Sequence, residues 1–444
     1  MEKTYVSTGG ASLDLSDAEA DSLFSEALAA LRPALGNIAS VLLIPPDVTR
    51  FHSRAGFFTD VACREFSAAG IRVTALPALG THMALSGAEL ARMFPHTPPS
   101  LFRVHDWRND VVELGRIEKE WIEKTTEGAV SYDWPVQVNK LLRDGGFDLI
   151  VSLGQVVPHE VIGMANHAKN ILVGTGGKEA IDKSHFAGAA FGMERMMGRA
   201  ETPVRAMFDE GLRRYGGRLP PVLYVLTVLS ARGGAGTPDG APRASLALRG
   251  LYAGFGRECF VQAAALARQV NVDLLDEPVR KAVVYLEPEE FRTTWLGNKA
   301  VYRTRMAMAD GGELLIIAPG LERFGEDRGI DALIRAYGYR PAAVIRKKVD
   351  ASPALADSLS AAAHLIHGSS EGRFIVRYCP GPGISRAEIE SVGYEWGGID
   401  EAMNRYDINT LKTGWNKDAG GERFFFVPNP ALGLWALRDS FLKN

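Results

Sequence analysis

Along this chain, short runs of consecutive apolar residues alternate with longer stretches whose apolar positions recur at helical spacing. The runs SVLLIPPD (40–47), IRVTALPALG (71–80), FDLIVSLG (147–154), PVLYVLTVLS (221–230), KAVVYLEP (281–288), ELLIIAP (313–319), RFIVRYCP (373–380) and RFFFVPN (423–429) read as strands. Most are continuously apolar rather than alternating, as in a parallel sheet covered by helices on both faces. LSDAEADSLFSEALAALRPAL, opened by a cap at Ser16, and RECFVQAAALARQV read as helices between strands. The alternation predicts an α/β protein. Its 444 residues exceed one ordinary domain. NVDLLDEP breaks a helix and opens a second β/α series, so two α/β domains are expected, 1–270 and 271–444, with mainly parallel sheets and a cleft between them. The Gly/Pro-rich stretch SARGGAGTPDGAPRAS (230–245) reads as a mobile surface loop.

Composition narrows the class further. The chain is 46% hydrophobic and 23% charged, and 50 basic against 53 acidic residues leave a net charge of −3. That balance gives no electrostatic case for a nucleic-acid partner. The apolar runs are far shorter than a membrane span. The N-terminal stretch MEKTYVSTGGASLDLSDAEAD lacks the apolar core of a signal peptide, so a cytoplasmic protein without a membrane partner is expected. Cys63, Cys259 and Cys379 are single and far apart, which argues against a disulfide framework and against a cysteine-ligated metal.

Loops that follow strands are where open α/β sheets bind ligands. Three exits are unusually polar: PPDVTRFHSR (45–54) with Asp47, Thr49 and Arg50, ALGTHMALSG (78–87) with His82, and GQVVPHEVIG (154–163) with His159. Singly, Asp47 or Thr49 serves as a helix cap, and a lone histidine after a strand is a hydrogen-bonded structural residue. Together they converge on one cleft if their strands are neighbours. Familiar chemistries fail in turn. GTGGKEA (174–180) has Leu172 and Glu179 where a triphosphate-binding loop needs glycine and Ser/Thr. GFGREC (254–259) has Cys259 at the third glycine of a dinucleotide fingerprint. No HExxH, GxSxG or Cys/His zinc pattern occurs.

The segment VVPHEVIGMANHAKNILVGTGGKEAIDKSHF (156–186) holds three of the nine histidines. Its glycines prevent a single helix. It reads as a strand exit, a loop, a short buried element, a glycine turn and a helix from about Lys178 that carries His185. Backbone amides around Gly176 and Gly177, beside Lys178, would form an anion site at that helix start. Lys169 lies among apolar residues, where burial disfavours the charged amine. A neutral lysine suits a nucleophile or an attachment point, and a lysine reaching to the surface is the alternative.

The set DxTR (Asp47–Arg50), GTH (Gly80–His82), PHxxxGxxxxxK (Pro158–Lys169) and His185, sixteen residues after Lys169, resembles the nickel-pincer lactate racemase family over about residues 45–190. The resemblance implies an isomerase whose active site lies in the cleft between its domains. Its cofactor would be a nickel-pincer nucleotide, a pyridinium-3-thioamide-5-thiocarboxylic acid mononucleotide with nickel, supplied by separate maturation enzymes. Lys169 would be the covalent attachment point and His185 the protein ligand to nickel. His82 and His159 would be the acid/base pair on opposite faces of a small-molecule hydroxy-acid substrate. Arg50 would hold that substrate, with Asp47 and Thr49 shaping the same place. In the second domain, WLGNKAVYRTRMAMADGG (295–312) resembles the family's substrate-contacting helix, with Lys299 in the lysine position. Leu296 stands where lactate-active members carry glutamine, which points away from lactate.

Chemistry agrees with the resemblance. Hydrogen on a carbon beside a carboxylate is a poor acid, and its removal as hydride needs an electron-poor acceptor that no side chain provides. The hydroxyl proton then needs a neutral histidine on whichever face it leaves. The C-terminal stretches TWLGNKAVYRTRMA, IIAPGLERFGEDRGID and FFFVPNPALGLWAL are most similar to sugar-acid members of the family. The expected reaction is 2-epimerisation of a sugar acid of the D-gluconate/D-mannonate type. Trp295, Asn298, Glu322, Arg323, Lys412 and Trp415 are candidate polyol contacts. Racemisation of malate or lactate, and a cofactor carrier without turnover, are the alternatives.

Overall fold

The computed structural model describes residues 3–231 and 246–443, so most of the Gly/Pro-rich stretch 230–245 lies outside the described residues. The chain divides into two compact units. One comprises residues 3–187, 196–230 and 246–270, and the other residues 188–195 and 271–443.

The first unit contains β1 (Thr4–Gly9), β2 (Ser40–Ile44), β3 (Arg72–Ala75), β4 (Val111–Ile117), β5 (Trp134–Asn139), β6 (Leu149–Gln155), β7 (Pro158–His159), β8 (Gly163–Met164), β9 (Val222–Ala231) and β10 (Leu246–Gly254). Its main sheet has the order β1-β10-β9-β6-β2-β3. The pairs β2–β3, β2–β6 and β6–β9 are parallel, and β1 joins β10 antiparallel. Helices Asp17–Leu35 and Ala55–Ala68 bury Phe24, Leu28, Leu31, Phe58 and Phe66 in one core with Val41, Leu43, Val151 and Leu153 of the strands. Ser16 caps the first of them as expected, closing a capping box with Glu19. Strands β4 and β5 form an antiparallel hairpin beside this sheet, and β7 and β8 a very short one after β6.

The second unit contains β11 (Val272–Leu275), β12 (Val279–Tyr285), β13 (Met308–Ala318), β14 (Ile375–Pro380), β15 (Glu395–Trp396), β16 (Gly414–Lys417), β17 (Arg423–Val427) and β18 (Leu434–Leu437). Its larger sheet has the order β15-β14-β13-β12-β17-β16, parallel except for the β16–β17 pair. All eight apolar runs lie on strands. Several strands escaped the pattern, among them β4, whose partly exposed alternation with a charged end reads as surface. All three cysteines are free and buried. Among the described residues no helix is long and apolar enough to cross a membrane.

One interior contact fixes the turn just ahead of Lys169. Arg205, on the helix Pro203–Tyr215, is fully buried and donates to the carbonyls of Met164 (2.6 Å) and Asn166 (3.1 Å). Its guanidinium lies 4.1 Å from the centre of the Phe260 ring. The carbonyls belong to a strained turn, since Asn166 and His167 both have left-handed φ, 69° and 57°. Asn166 steadies it by accepting the His167 N–H at 2.7 Å. Replacing Arg205→Met strands both carbonyls in the interior and is expected to cost about 3 kcal/mol. Urea unfolding followed by circular dichroism measures this, and Arg205→Lys should recover only part because an ammonium lacks the planar fork.

Candidate active site at three strand exits

Strands β6, β2 and β3 are parallel neighbours, so their carboxyl ends share one edge of the sheet. The polar loops after them therefore lie side by side. Beyond β2, the N–H of Ala78 donates to the Pro45 carbonyl (2.7 Å) and a Pro46–Ala78 bridge prolongs the pairing with the loop after β3. Asp47 then caps the short helix Val48–Ser53, and its Oδ1 accepts from the Thr49 N–H (3.1 Å) and hydroxyl (2.5 Å). Thus Asp47 and Thr49 do form a cap, as either reading allowed, but the second carboxylate oxygen faces the next loop. There it accepts from Nδ1 of His82. Burial works to raise the Asp47 pKa, yet the His82 ring, Thr49 and Arg50 together hold it below the usual carboxylate value. An ionised Asp47 fixes the His82 proton on Nδ1, which makes Nε2 the basic atom of the neutral ring.

His159 follows β6 and is buried. Its Nδ1 accepts the Val161 N–H at 3.1 Å, so in the neutral ring the proton sits on Nε2. The two histidines thus have opposite tautomers. The Glu160 carboxylate lies 3.6 Å from the same Nδ1 and its charge acts on Lys169 and His185. Sequence reasoning passed over Glu160, although its place directly after His159 was a usable signal.

The helix Ala168–Leu172 crosses the ends of β2 and β6, held there by Asn170, whose amide donates to the Ile44 carbonyl (3.1 Å) and Ser152 hydroxyl (2.9 Å). Lys169 projects from it, partly buried. Among the described residues no hydrogen bond or ion pair holds its amine. Burial first, then the charge of Arg50, pushes that amine down to about 8 against the opposing pull of Glu160. Arg50 is itself partly buried and likewise makes no hydrogen bond or ion pair among the described residues. After the glycine turn, the helix Lys178–Phe191 carries His185. Its Nδ1 donates to the Ile181 carbonyl (2.7 Å), leaving the lone pair on Nε2. Burial and the neighbouring Lys169 push this ring down to about 4, so it is neutral at pH 7.

The glycine turn is closely packed. The N–H of Gly176 donates to Val173 (3.1 Å) and its carbonyl accepts from His105 Nε2 (3.0 Å). A Cβ on Gly176 would sit 2.1 Å from the Leu172 carbonyl, and one on Gly177 would sit 2.5 Å from Gln137 Oε1. The turn also accepts the Gly80 N–H on the Gly174 carbonyl (2.9 Å), which ties the His82 loop to it. Lys178 is half exposed and paired with Asp182. His105 had no expected role and anchors this turn. His167 is buried with its ring 4.0 Å from that of Tyr224 and 5.2 Å from that of Phe260.

In the second unit, Asn298 is an expected substrate contact. It is completely buried, and its side-chain carbonyl accepts from the hydroxyls of Tyr378 (2.8 Å) and Tyr394 (3.0 Å). Asn298 is a core residue because it sits at the junction of helices Thr294–Gly297 and Lys299–Thr304, turned inward. Trp295 and Lys299, four apart, are partly exposed; Trp295 packs 4.4 Å from the His364 ring and Lys299 lies 5.4 Å from the Phe291 ring. Glu322, Arg323 and Lys412 are exposed, and Trp415 lies under the Arg423 guanidinium.

These features are those of an α/β protein with a histidine-bearing site at adjacent strand ends. Residues 20–196 match the family model of the lactate racemase N-terminal domain. No curated protein matches the chain. In fold, the chain is similar to a Thermotoga maritima protein known from a crystal structure, with a TM-score of 0.77 and 21% identity over 95% of this chain and 100% of that one. It is also similar to the lactate racemase apoprotein from Thermoanaerobacterium thermosaccharolyticum, with a TM-score of 0.67 and 14% identity over 91% of this chain and 88% of that one.

The donor set suits a pincer-type cofactor: an amine with depressed proton affinity and one imidazole whose Nε2 lone pair is preset. Among the described residues no three His, Cys, Asp or Glu side chains gather as a metal cage. Amine-reactive labelling of the cofactor-free chain should modify Lys169 with a midpoint near pH 8, because the amine is an unreactive ammonium below its pKa of about 8. Peptide mass spectrometry across neutral to alkaline pH reads this, and a midpoint typical of surface lysines would contradict the burial argument. Separately, Asn298→Ala should lower stability by about 2 kcal/mol by stranding the buried Tyr378 hydroxyl, whereas the Tyr394 hydroxyl keeps the Gly368 carbonyl (2.8 Å) as acceptor; chemical denaturation measures this.

Proposed function

We propose that the chain is an isomerase that inverts the hydroxyl-bearing carbon of a 2-hydroxy acid, using a nickel-pincer nucleotide. The observation that carries this reading is the placing of His82 and His159 on the exits of β3 and β6, the parallel strands on either side of β2, with Arg50 on the exit of β2 and Lys169 on the short helix held to β2 and β6 by Asn170. Lys169 would hold the cofactor covalently and His185 would ligate its nickel; when bound, the group supplies an electron-poor acceptor for the hydrogen on C2. Thr49 supports the reading through its grip on Asp47, whereas Gly176, Gly177 and Lys178 contribute by shaping the turn that ends the Lys169 helix.

The protein's own groups handle binding and protons. Arg50 offers a planar fork to the substrate carboxylate. His82 takes the hydroxyl proton on Nε2, while Asp47 keeps the Nδ1 proton in place and stabilises the imidazolium that results. His159 performs the same task for the opposite configuration. With two such histidines, the planar 2-keto acid formed at mid-reaction can be reprotonated on oxygen from either side.

Within this class the preferred substrate is a sugar acid of the D-gluconate/D-mannonate type, which the C-terminal resemblance and Leu296 favour. A smaller acid such as malate or lactate is the second reading, favoured by the match of residues 20–196 to the lactate racemase N-terminal domain. A panel of 2-hydroxy acids separates them.

Co-expression with the maturation enzymes should add the cofactor mass to the peptide that contains Lys169, together with nickel. His82→Ala and His159→Ala should retain that adduct and lower turnover on the order of 100-fold or more. Retained adduct with undiminished turnover in either variant would refute its assignment, and a carrier without turnover would show the adduct but convert no acid in the panel.

A further inference from the structure

We infer that Glu160 is a positioning residue for His159, the counterpart of Asp47 for His82. The inference rests on the proposed reaction. An enzyme that inverts a centre in both directions needs an equivalent proton carrier on each face, and only one of the two histidines is set as a base. His82 has its Nδ1 proton pinned by a buried carboxylate, so Nε2 is the atom that exchanges a proton. His159 has its Nδ1 directed at the Val161 N–H (3.1 Å), which puts the single ring proton on Nε2. In that state Nε2 cannot accept the proton of a substrate hydroxyl, and donating its own would leave an imidazolate.

Glu160 resolves this. Its Oε2 is 3.6 Å from His159 Nδ1, beyond a hydrogen bond but within a small side-chain movement of one. Its side chain is mostly buried, at 19% exposure, and its charge reaches both Lys169 and His185. With Nδ1–H donated to Glu160, His159 Nε2 accepts the hydroxyl proton of one configuration and becomes an imidazolium, while His82, entering that turnover protonated, gives its Nε2 proton to the keto oxygen from the opposite face. In the reverse direction His159 enters as the imidazolium and His82 as the base, so each turnover takes up one proton and gives one, and the Nδ1 proton stays with the Glu160 pair throughout. The Val161 N–H holds the ring in its resting tautomer, and the Glu160 carboxylate holds it in the working one. Residues 160–162 form the turn between β7 and β8, closed by Gly163, whose φ is 86° and whose Cβ would lie 2.2 Å from the Arg199 carbonyl. This anchoring keeps Glu160 close to the ring.

The test uses the cofactor-loaded full chain with the substrate found by the panel, and compares Glu160→Gln, Glu160→Asp, Glu160→Ala and Asp47→Asn. Glu160→Gln should lower kcat on the order of 100-fold with KM changed by less than about twofold, and Glu160→Asp should restore most of it. Asp47→Asn, which disturbs the other histidine, should cause a loss of similar size. Added formate should partly rescue Glu160→Ala and leave Glu160→Gln unchanged. In a second readout, the nitrogen-15 spectrum of the His159 ring in the substrate-bound protein should show a protonated Nδ1 that is lost in Glu160→Gln. A Glu160→Gln enzyme within about twofold of the parent, with the Nδ1 signal unaltered, overturns the inference while leaving the reaction intact. If the parent chain itself converts no 2-hydroxy acid, it is the proposed reaction that fails, and the Nδ1 signal in the loaded protein still decides whether Glu160 pairs with His159.

Discussion

Parallel pairing of β6, β2 and β3 brings three loops that are distant in sequence to one edge of a sheet, and the candidate chemistry depends on that adjacency. In an antiparallel arrangement, consecutive strand exits would fall on opposite edges, and Asp47 could not reach His82. Here the buried carboxylate of one exit meets the imidazole of the next, so a helix cap is also half of a carboxylate–imidazole pair. Asp47 does both jobs because its two oxygens face different ways, one to Thr49 and one to His82.

A second constraint is the placing of a lysine amine where neither solvent nor a counter-ion fully compensates its charge. Two features act upstream and downstream of Lys169. Arg205 grips the carbonyls of a turn with consecutive left-handed residues, and Asn170 pins the short helix after it across two strand ends. The backbone strain is tolerated because those contacts over-determine it. Such a lysine is a poor contributor to stability and a good attachment point, a trade commonly found at functional sites.

The second unit illustrates how burial assigns roles that residue type does not. Asn298 looks like a ligand-binding amide, yet two tyrosine hydroxyls converge on it inside the core. Trp295 and Lys299, four residues apart, remain partly open on the other side of the same helical segment. Residues four apart share a helix face, and the residue at the break between the two short helices turns to the interior instead.

The range of each interaction set how much of this was legible in the sequence. Continuous apolar runs marked the eight main strands because burial on both faces leaves no alternation, and the Ser16–Glu19 capping box is a local interaction readable as a motif. The same logic missed β4 and the antiparallel edge β1, whose mixed patterns reflect partial exposure. The residues of the three exits, and Lys169 and His185 with their spacing, were also visible in the chain. What the sequence could not supply was direction: that Nδ1 of His82 faces Asp47 while Nδ1 of His159 faces Val161, that Glu160 stands beside that ring, that Gly176 and Gly177 are crowded by protein, and that Asn298 turns inward. Local propensity and the apolar patterning of strands are properties of short segments, so the sequence alone determined them. Side-chain orientation and proton placement depend on neighbours brought in from elsewhere by sheet topology, and only the tertiary structure decided those.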